Sequence, residues 1–264
     1  MFAKPHPVFV APANPDALIW RYTDLAKLLS LFDRSELHFP RLDRLDDPFE
    51  GYYTKTILAL ESTKFQDLPP ELKRHIPDER TYIALVGNQK QIRNLTKDQR
   101  EATFVNSWYC NEHESAAMWS QYLKTQEGIA IQSSYRRLSE SLERYNDFDV
   151  HIGMVNYIDY ELDPIPLGNI IAPVMCKRKS FEHERELRAV IWTIEHGKND
   201  WGATNRFKDV PGLYVTVNIA KLVERVFVAP TGPVWVRELI DSLIKRFGYS
   251  IPAVQSSLAE SAFY

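Results

Sequence analysis

The stretch FEHERELRAVIWTI, residues 181–194, carries the pattern that decides the fold. From Glu186 onward, polar and apolar residues alternate and β-branched residues follow, which predicts a half-buried strand. Three acids, Glu182, Glu184 and Glu186, occupy alternate positions at the start of this strand. Neighbouring carboxylates repel one another, and burial penalises their ionised forms further. Two interpretations stay open: a solvated strand entrance with surface ion pairs, or carboxylates directed into a cleft.

Strands and helices follow one another along the rest of the chain without a strict strand–helix–strand rhythm. Further strands are predicted at LIWRY (18–22), LHF (37–39), TFVNSWYC (103–110), IAIQS (129–133), VHIGMVNYI (150–158), LYVTV (213–217) and RVFVAP (225–230). Helices are predicted after a Thr23 cap, from Asn111 through Leu123, over 134–145, near AKLVE (220–224) and over 235–248. This order predicts an α+β fold with a mixed or mostly antiparallel sheet and flanking helices.

The composition is that of an ordinary globular protein, with 264 residues, a net charge of −3 and two cysteines. We expect an extended N-terminal arm over 1–17 and a single domain over 18–264, with 52–100 as a helical insertion or lid. No apolar run reaches the roughly 20 residues that span a bilayer, so we expect a cytoplasmic protein without membrane contact. The charge does not indicate a general affinity for nucleic acid.

A second acidic stretch, RLDRLDDPFEG (41–51), allows two interpretations. Its acids are Asp43, Asp46, Asp47 and Glu50. Their oxygens are ligands that divalent cations accept, but the spacing matches no calcium loop. We favour a turn in which Asp side chains bond to nearby backbone amides. Cys110 and His113 have the spacing of half a zinc site without a second pair, so a buried Cys and a surface His are expected.

Several blocks together resemble the bacterial domain of unknown function 2971 family. These blocks are WRY with its following helix, LHFPRLDRLDDPFEG, NSWYCNEHESAAMWSQYLKTQEGIAI, KRKSFEHERELRAV and VERVFVAP. The resemblance covers about residues 18 to 257. The function of that family is unassigned, so the resemblance implies a single domain and no particular activity.

The order of elements is also similar, more distantly, to the three-part layout of the ADP-ribosyltransferases. The resemblance implies that Arg21 contacts the dinucleotide and that Ser107 shapes the nicotinamide pocket. It also implies that Glu184 or Glu186 binds a ribose hydroxyl and stabilises the oxocarbenium-like transition state. The chain has Asn-Ser-Trp where that superfamily has Ser-Thr-Ser.

The same resemblance implies NAD as the cofactor, with Tyr22 and Trp108 flanking the nicotinamide. We predict no metal. The expected ligand is a small nucleotide-like molecule, and the acceptor is left open. One alternative is a metal-dependent hydrolase or nuclease that uses the acids of 46–50 and 182–186. Another is a non-catalytic binding module, which predicts no NAD binding.

Overall fold

The computed structural model describes most of the chain. The described residues are 6–74, 76–87, 96–122, 127–142, 148–166, 169–193, 207 and 209–259. The strands are β1 (Leu18–Asp24), β2 (Glu36–Pro40), β3 (Thr103–Cys110), β4 (Gly128–Ser134), β5 (Val150–Met154), β6 (Asn156–Ile158), β7 (Cys176–Arg178), β8 (Glu186–Trp192), β9 (Gly212–Thr216), β10 (Arg225–Val228) and β11 (Ala253–Gln255). The α-helices are α1 (Leu25–Arg34), α2 (Lys55–Leu58), α3 (Pro70–Lys73), α4 (Glu79–Gly87), α5 (96–101), α6 (Ala116–Tyr122), α7 (Tyr135–Ser141), α8 (Ile219–Leu222) and α9 (Val234–Arg246).

Seven of these strands form one sheet in the order β11-β10-β4-β1-β3-β8-β5. All neighbours in it are antiparallel except β10 and β11, which are parallel. β2 and β9 form a separate antiparallel pair, and β6 and β7 form a parallel pair. The predicted α+β fold with a mostly antiparallel sheet and flanking helices is therefore confirmed.

Alternation along β8 separates a core face from a polar face. Leu187, Ala189 and Ile191 are fully buried and belong to the main hydrophobic cluster. Apolar residues of α1 and α9 pack into the same cluster. Glu186 and Arg188 project to the opposite side, as the period-2 pattern predicts. The core therefore lies on one face of the sheet, and charged groups line part of the other.

The central strands β1 and β3 are joined over a short distance only. Their register contains two residue pairs, Ile19 with Cys110 and Trp20 with Tyr109, whereas β1 and β4 pair at seven positions. Nearer its start, β3 has the segment that contains β2 as its neighbour, in place of β1. An isolated bridge joins Arg41 to Phe104 there. The two central strands thus diverge after Trp20, which leaves a gap in the middle of the sheet.

Some boundaries differ from the sequence predictions for identifiable reasons. Asp24, and not Thr23, caps α1, because its Oδ1 accepts a hydrogen bond from Lys27 N at 2.8 Å. The single strand predicted over 150–158 is two strands in two sheets, since the chain leaves β8 after Met154 and pairs with β7. Parts of the predicted helices 111–123 and 134–145 lie outside the described residues.

The segment predicted as a helical insertion contains short helices around a small core of its own. That core consists of Ile57, Leu60, Leu68, Leu72 and Ile76. At the N-terminus, residues 6–17 run beside the edge strand β5, where Met154 N donates to Val10 O at 2.8 Å. Among the described residues, no helix is both long and apolar enough to cross a bilayer.

Candidate functional site

A cleft of about 830 Å³ opens where β1 and β3 diverge. The six residues to which the ADP-ribosyltransferase resemblance gave a role all line it: Arg21, Tyr22, Ser107, Trp108, Glu184 and Glu186. They come from three distant parts of the chain, which β1, β3 and the approach to β8 bring together. The size of the cleft is typical of small-molecule sites.

Arg21 occupies the gap between the two central strands. Its Nη1 donates to the backbone carbonyl of Ser107 at 2.9 Å, where β1 no longer supplies a ladder partner. Its Cζ lies 5.9 Å from the centroid of the Trp108 ring. Burial lowers the pKa of the Arg21 guanidinium to about 10. No carboxylate pairs with it among the described residues, so it remains a cation with donors available to an anionic ligand.

Glu186 is the most heavily bonded acid on the cleft wall, with a side chain that is 4% exposed. One oxygen accepts from Ser107 Oγ at 2.5 Å and from Arg188 Nε at 2.7 Å. The other accepts from Arg188 Nη2 at 3.0 Å and Lys177 Nζ at 3.3 Å. Burial alone would raise its pKa, but the charges of Arg188 and Lys177, with hydrogen bonds from Arg188 and Ser107, hold it at about 2. Glu186 is thus a fixed negative charge at any ordinary pH.

Glu186 belongs to a buried cluster of five charged residues, which we call the charge cluster. Its members are Glu50, Lys177, Glu184, Glu186 and Arg188. Lys177 Nζ lies 2.5 Å from Glu184 and 3.5 Å from Glu50, and Arg188 Nη2 donates to Glu50 at 2.5 Å. Nearby carboxylates raise the pKa of Lys177 despite its burial. Three acids and two bases leave the charge cluster with a net charge of −1.

Glu184 is buried as well but retains accepting capacity. It accepts from Lys177 Nζ through Oε2 and from Gln121 Nε2 at 3.2 Å through Oε1. An ionised carboxylate has about four accepting sites, so about two remain at Glu184, whereas Glu186 already receives four bonds. Gln121 is exposed and lines the cleft. A ligand hydroxyl can therefore bond to Glu184 without displacing a protein group.

The alternation of the three acids suggested that they share one face of a strand, but they do not. Residues Lys179–Glu184 form a 3₁₀ turn, and Arg185 has a φ of 39°, in the left-handed region. This turn directs Glu184 inward and leaves Glu182 exposed. The interpretation as a solvated strand entrance is therefore wrong for Glu184 and Glu186, and it fits Glu182.

Tyrosine rings form the wall next to Ser107. The Tyr22 and Tyr122 rings are nearly parallel, with an interplanar angle of 21° and 6.5 Å between centroids. Tyr22 is fixed by Ser115 N, which donates to its hydroxyl at 2.7 Å, whereas Tyr122 is 46% exposed. Burial and the charge of Glu184 raise the pKa of Tyr122 to about 12.

Trp108 projects from the other face of β3. It is buried in the main core, and its Nε1 donates to Asn106 Oδ1 at 2.7 Å. Tyr22 belongs to a separate aromatic cluster on the face that carries Ser107. Tyr22 and Trp108 therefore do not face each other across one slot, and the ring opposite Tyr22 is that of Tyr122.

The two sides of the cleft differ in charge. The acidic wall consists of Asp46, Asp47, Glu50, Lys177, Arg178, Glu184, Glu186 and Arg188. Its five carboxylates and three cations give a net charge of −2. The basic wall consists of Arg21, Lys27, Glu36 and His38, which sum to a net charge of +1 when His38 is neutral. Lys27 pairs at 2.9 Å with Asp24, which does not line the cleft, so Arg21 is the cation of this wall without a carboxylate partner among the described residues. Burial and the charges of Arg21 and Lys27 lower the pKa of His38, which favours the neutral imidazole.

The acidic stretch 41–51 contributes to the cleft through ion pairs and a backbone turn. Asp47 pairs with Arg178 at 3.0 Å and also accepts from Phe49 N at 3.1 Å, the backbone bond expected of a turn. Glu50 accepts a hydrogen bond from Arg188 Nη2, a contact that no local sequence pattern indicates. Among the residues that the structure describes, no group of three or more metal-binding side chains is placed to hold an ion. Cys110 is half-buried, and His113 is exposed.

No protein-family model matches this chain, and no curated protein does; the assignment to the domain of unknown function 2971 family is thus not confirmed. Two solved structures of DarT from Thermus sp. 2.9 are similar over most of the chain. The complex with ADP-ribosylated ssDNA is 9% identical, with a TM-score of 0.38 over 94% of this chain and 97% of that one. The complex with carba-NAD+ is 8% identical, with a TM-score of 0.39 over 93% and 97%.

Proposed function

We propose that this chain binds NAD in the cleft and breaks the bond between nicotinamide and ribose, passing ADP-ribose to an acceptor. One observation carries the proposal: Arg21, Ser107, Glu184 and Glu186 meet around a single cleft at the gap between β1 and β3. In the reaction, the electrons of the carbon–nitrogen bond leave with nicotinamide. The acceptor forms the new bond to the sugar carbon and releases a proton.

The charges of the cleft complement those of NAD. The dinucleotide has a positively charged pyridinium at one end and a negatively charged diphosphate in the middle. The acidic wall offers a net charge of −2 to the pyridinium. The basic wall offers Arg21, a half-buried cation with no carboxylate partner among the described residues, to the diphosphate. Opposite potentials of this kind orient a ligand as well as attract it.

The charge cluster suits the transition state. As nicotinamide departs, positive charge develops on the sugar, and a carboxylate fixed beside it acts only as that charge appears. Glu186 has this property, because Ser107 and Arg188 hold it in place and its pKa is about 2. Because the charge cluster has three carboxylates and two cations, Lys177 and Arg188 leave the cluster as a whole with a net negative charge. We assign the electrostatic role to Glu186.

Two other parts of the site fit the remainder of the ligand. The Tyr122 ring lies opposite Tyr22, and its exposed surface is one on which the flat nicotinamide ring can stack. Glu184 has open accepting sites for a ribose hydroxyl. The second aromatic residue of the nicotinamide site is therefore Tyr122 in this proposal, and Trp108 supports β3 from the core side.

The test is incubation with NAD, with release of free nicotinamide followed by chromatography. We expect Glu186→Gln to lower the rate about 10²- to 10³-fold, because the fixed charge is lost. Glu184→Gln should raise KM more than it lowers kcat, since it loses a ground-state contact. The matched control is Glu182→Gln, an exposed acid of the same turn outside the cleft lining, which should behave as wild type.

Two results would contradict the proposal. One is an absence of nicotinamide release from any preparation of wild type together with no detectable NAD binding. The other is release that Glu186→Gln leaves unchanged. A chelator arm separates the proposal from the metal-dependent hydrolase, because NAD cleavage by this site should not respond to the chelator.

A further inference from the structure

Two exposed aromatic rings stand side by side at the edge of the cleft, away from the charge cluster. His38 on β2 and Tyr214 on β9 are cross-strand partners, with ring centroids 4.9 Å apart and an interplanar angle of 47°. Both line the cleft, and Tyr214 is 47% exposed. We call this pair the aromatic platform.

The pattern of β2 and β9 explains why these rings face outward. Leu37 and Phe39 on β2 and Val215 on β9 are buried in the main core, so their neighbours project to the cleft side. The β9 backbone also lies close to the His38 ring, because a Cβ at Gly212 would be 2.3 Å from His38 Nε2. The small residue beneath His38 leaves room for its ring on this face.

Cations surround the aromatic platform. The Arg34 Cζ lies 4.9 Å from the centroid of the Tyr214 ring. Arg34 is exposed, and none of the described residues forms a salt bridge with it. Arg21, which no carboxylate pairs with among the described residues, and Lys27, which pairs with Asp24 at 2.9 Å, also line the cleft, and the charges of both act on His38. Exposed aromatic rings next to cations such as Arg34 and Arg21 are the features by which proteins bind a base and the phosphates attached to it.

We propose that the aromatic platform is a binding site for a purine base, and that this base is the adenine of the dinucleotide whose diphosphate lies at Arg21. The base contacts the rings of Tyr214 and His38, and the Arg34 guanidinium lies over the Tyr214 ring. This inference rests on the proposed function for the identity of the ligand. It adds a second anchoring point, which holds the non-reacting end of the dinucleotide.

Binding of the two halves of the dinucleotide separates this inference from the proposed function. ADP carries the base and the diphosphate without nicotinamide, and nicotinamide mononucleotide carries the nicotinamide, its ribose and one phosphate without the base. We would titrate wild type, Tyr214→Ala and Tyr214→Phe with ADP, NAD and nicotinamide mononucleotide by calorimetry. Trp235→Ala, which removes an exposed ring outside the cleft lining, is the matched control.

We expect Tyr214→Ala to weaken ADP and NAD on the order of 10-fold, since stacking of a base on an aromatic ring is worth about 1–3 kcal/mol. Tyr214→Phe and Trp235→Ala should bind both as wild type does. The affinity of Tyr214→Ala for nicotinamide mononucleotide should be unchanged, which also shows that the variant is folded.

Unchanged ADP affinity in Tyr214→Ala, or no ADP binding by wild type at millimolar concentration, would overturn the inference. If NAD is cleaved while Tyr214 is dispensable, only the adenine site fails. If ADP binding depends on Tyr214 and no nicotinamide is released, the aromatic platform stands and the proposed reaction fails.

Discussion

Replacing Arg188 by Met is expected to destabilise the protein strongly, and the loss should depend on pH. Arg188 is 0% exposed and donates twice to Glu186, once to Glu50 and once to the Val174 carbonyl at 2.7 Å. Methionine reproduces the aliphatic part of the side chain, so the change removes the guanidinium together with its charge and hydrogen bonds. Breaking a buried ion pair from one side costs about 3–5 kcal/mol. We expect a loss of that size in the free energy of unfolding at about pH 7.

The pH dependence follows from Glu186. Its pKa is about 2 in the folded protein, against an ordinary value of 4.5. A carboxyl with a lowered folded pKa stabilises the protein above pH 4.5 and loses that contribution as the pH falls towards 2. A difference of about 2.5 pKa units corresponds to about 3 kcal/mol. The Arg188→Met variant lacks most of this contribution, so its deficit should shrink as the pH falls from about 7 to about 3.

Urea unfolding followed by tryptophan fluorescence measures both proteins across this range. Lys179→Met is the matched control, because Lys179 pairs with Asp163 at 3.2 Å on the surface. Such a pair contributes less than about 1 kcal/mol. A deficit below about 1 kcal/mol for Arg188→Met, or one that is equal at both ends of the pH range, would refute the reasoning.

Two further substitutions test the packing around the site. Gly153→Ala places a Cβ 2.7 Å from the Phe9 backbone, so we expect the free energy of unfolding to fall by about 1–3 kcal/mol and proteolysis within residues 6–17 to become faster. An unchanged digestion pattern would contradict the close packing of that segment. Asn106→Ala removes the acceptor of the buried Trp108 Nε1 and the donor to the part-buried His38 carbonyl at 2.9 Å. One buried group left unpaired costs about 1–3 kcal/mol, and a urea midpoint equal to that of wild type would contradict these bonds.

The elements that carry strong period-2 or helical patterns could be predicted from the sequence. β3 matches its predicted bounds of 103–110, and β8 has the predicted division between a core face and a charged face. The convergence of Arg21, Ser107 and Glu186 on one cleft was expected from a resemblance in the order of elements, since no local pattern contains it.

The rest depends on contacts between distant residues and on backbone turns. Glu50 and Arg188 are separated by 138 positions, and nothing in the sequence near either one specifies the other. Glu184 is turned inward by the left-handed conformation of Arg185, which alternation alone does not reveal. The positions of Tyr122 and Tyr214 on the cleft wall also depend on which strands are neighbours.

The short register between β1 and β3 is the origin of the cleft. The cleft forms where the hydrogen-bond ladder between these strands stops, and Arg21 Nη1 donates to the Ser107 carbonyl that the ladder leaves free. Each half of the sheet is completed by its own outer strands. Leu31, Leu37 and Ile131 belong both to the hydrophobic core and to the cleft lining, so substitutions there would change the shape of the cleft. A stabilised version of this protein is therefore best designed at core positions that do not line the cleft.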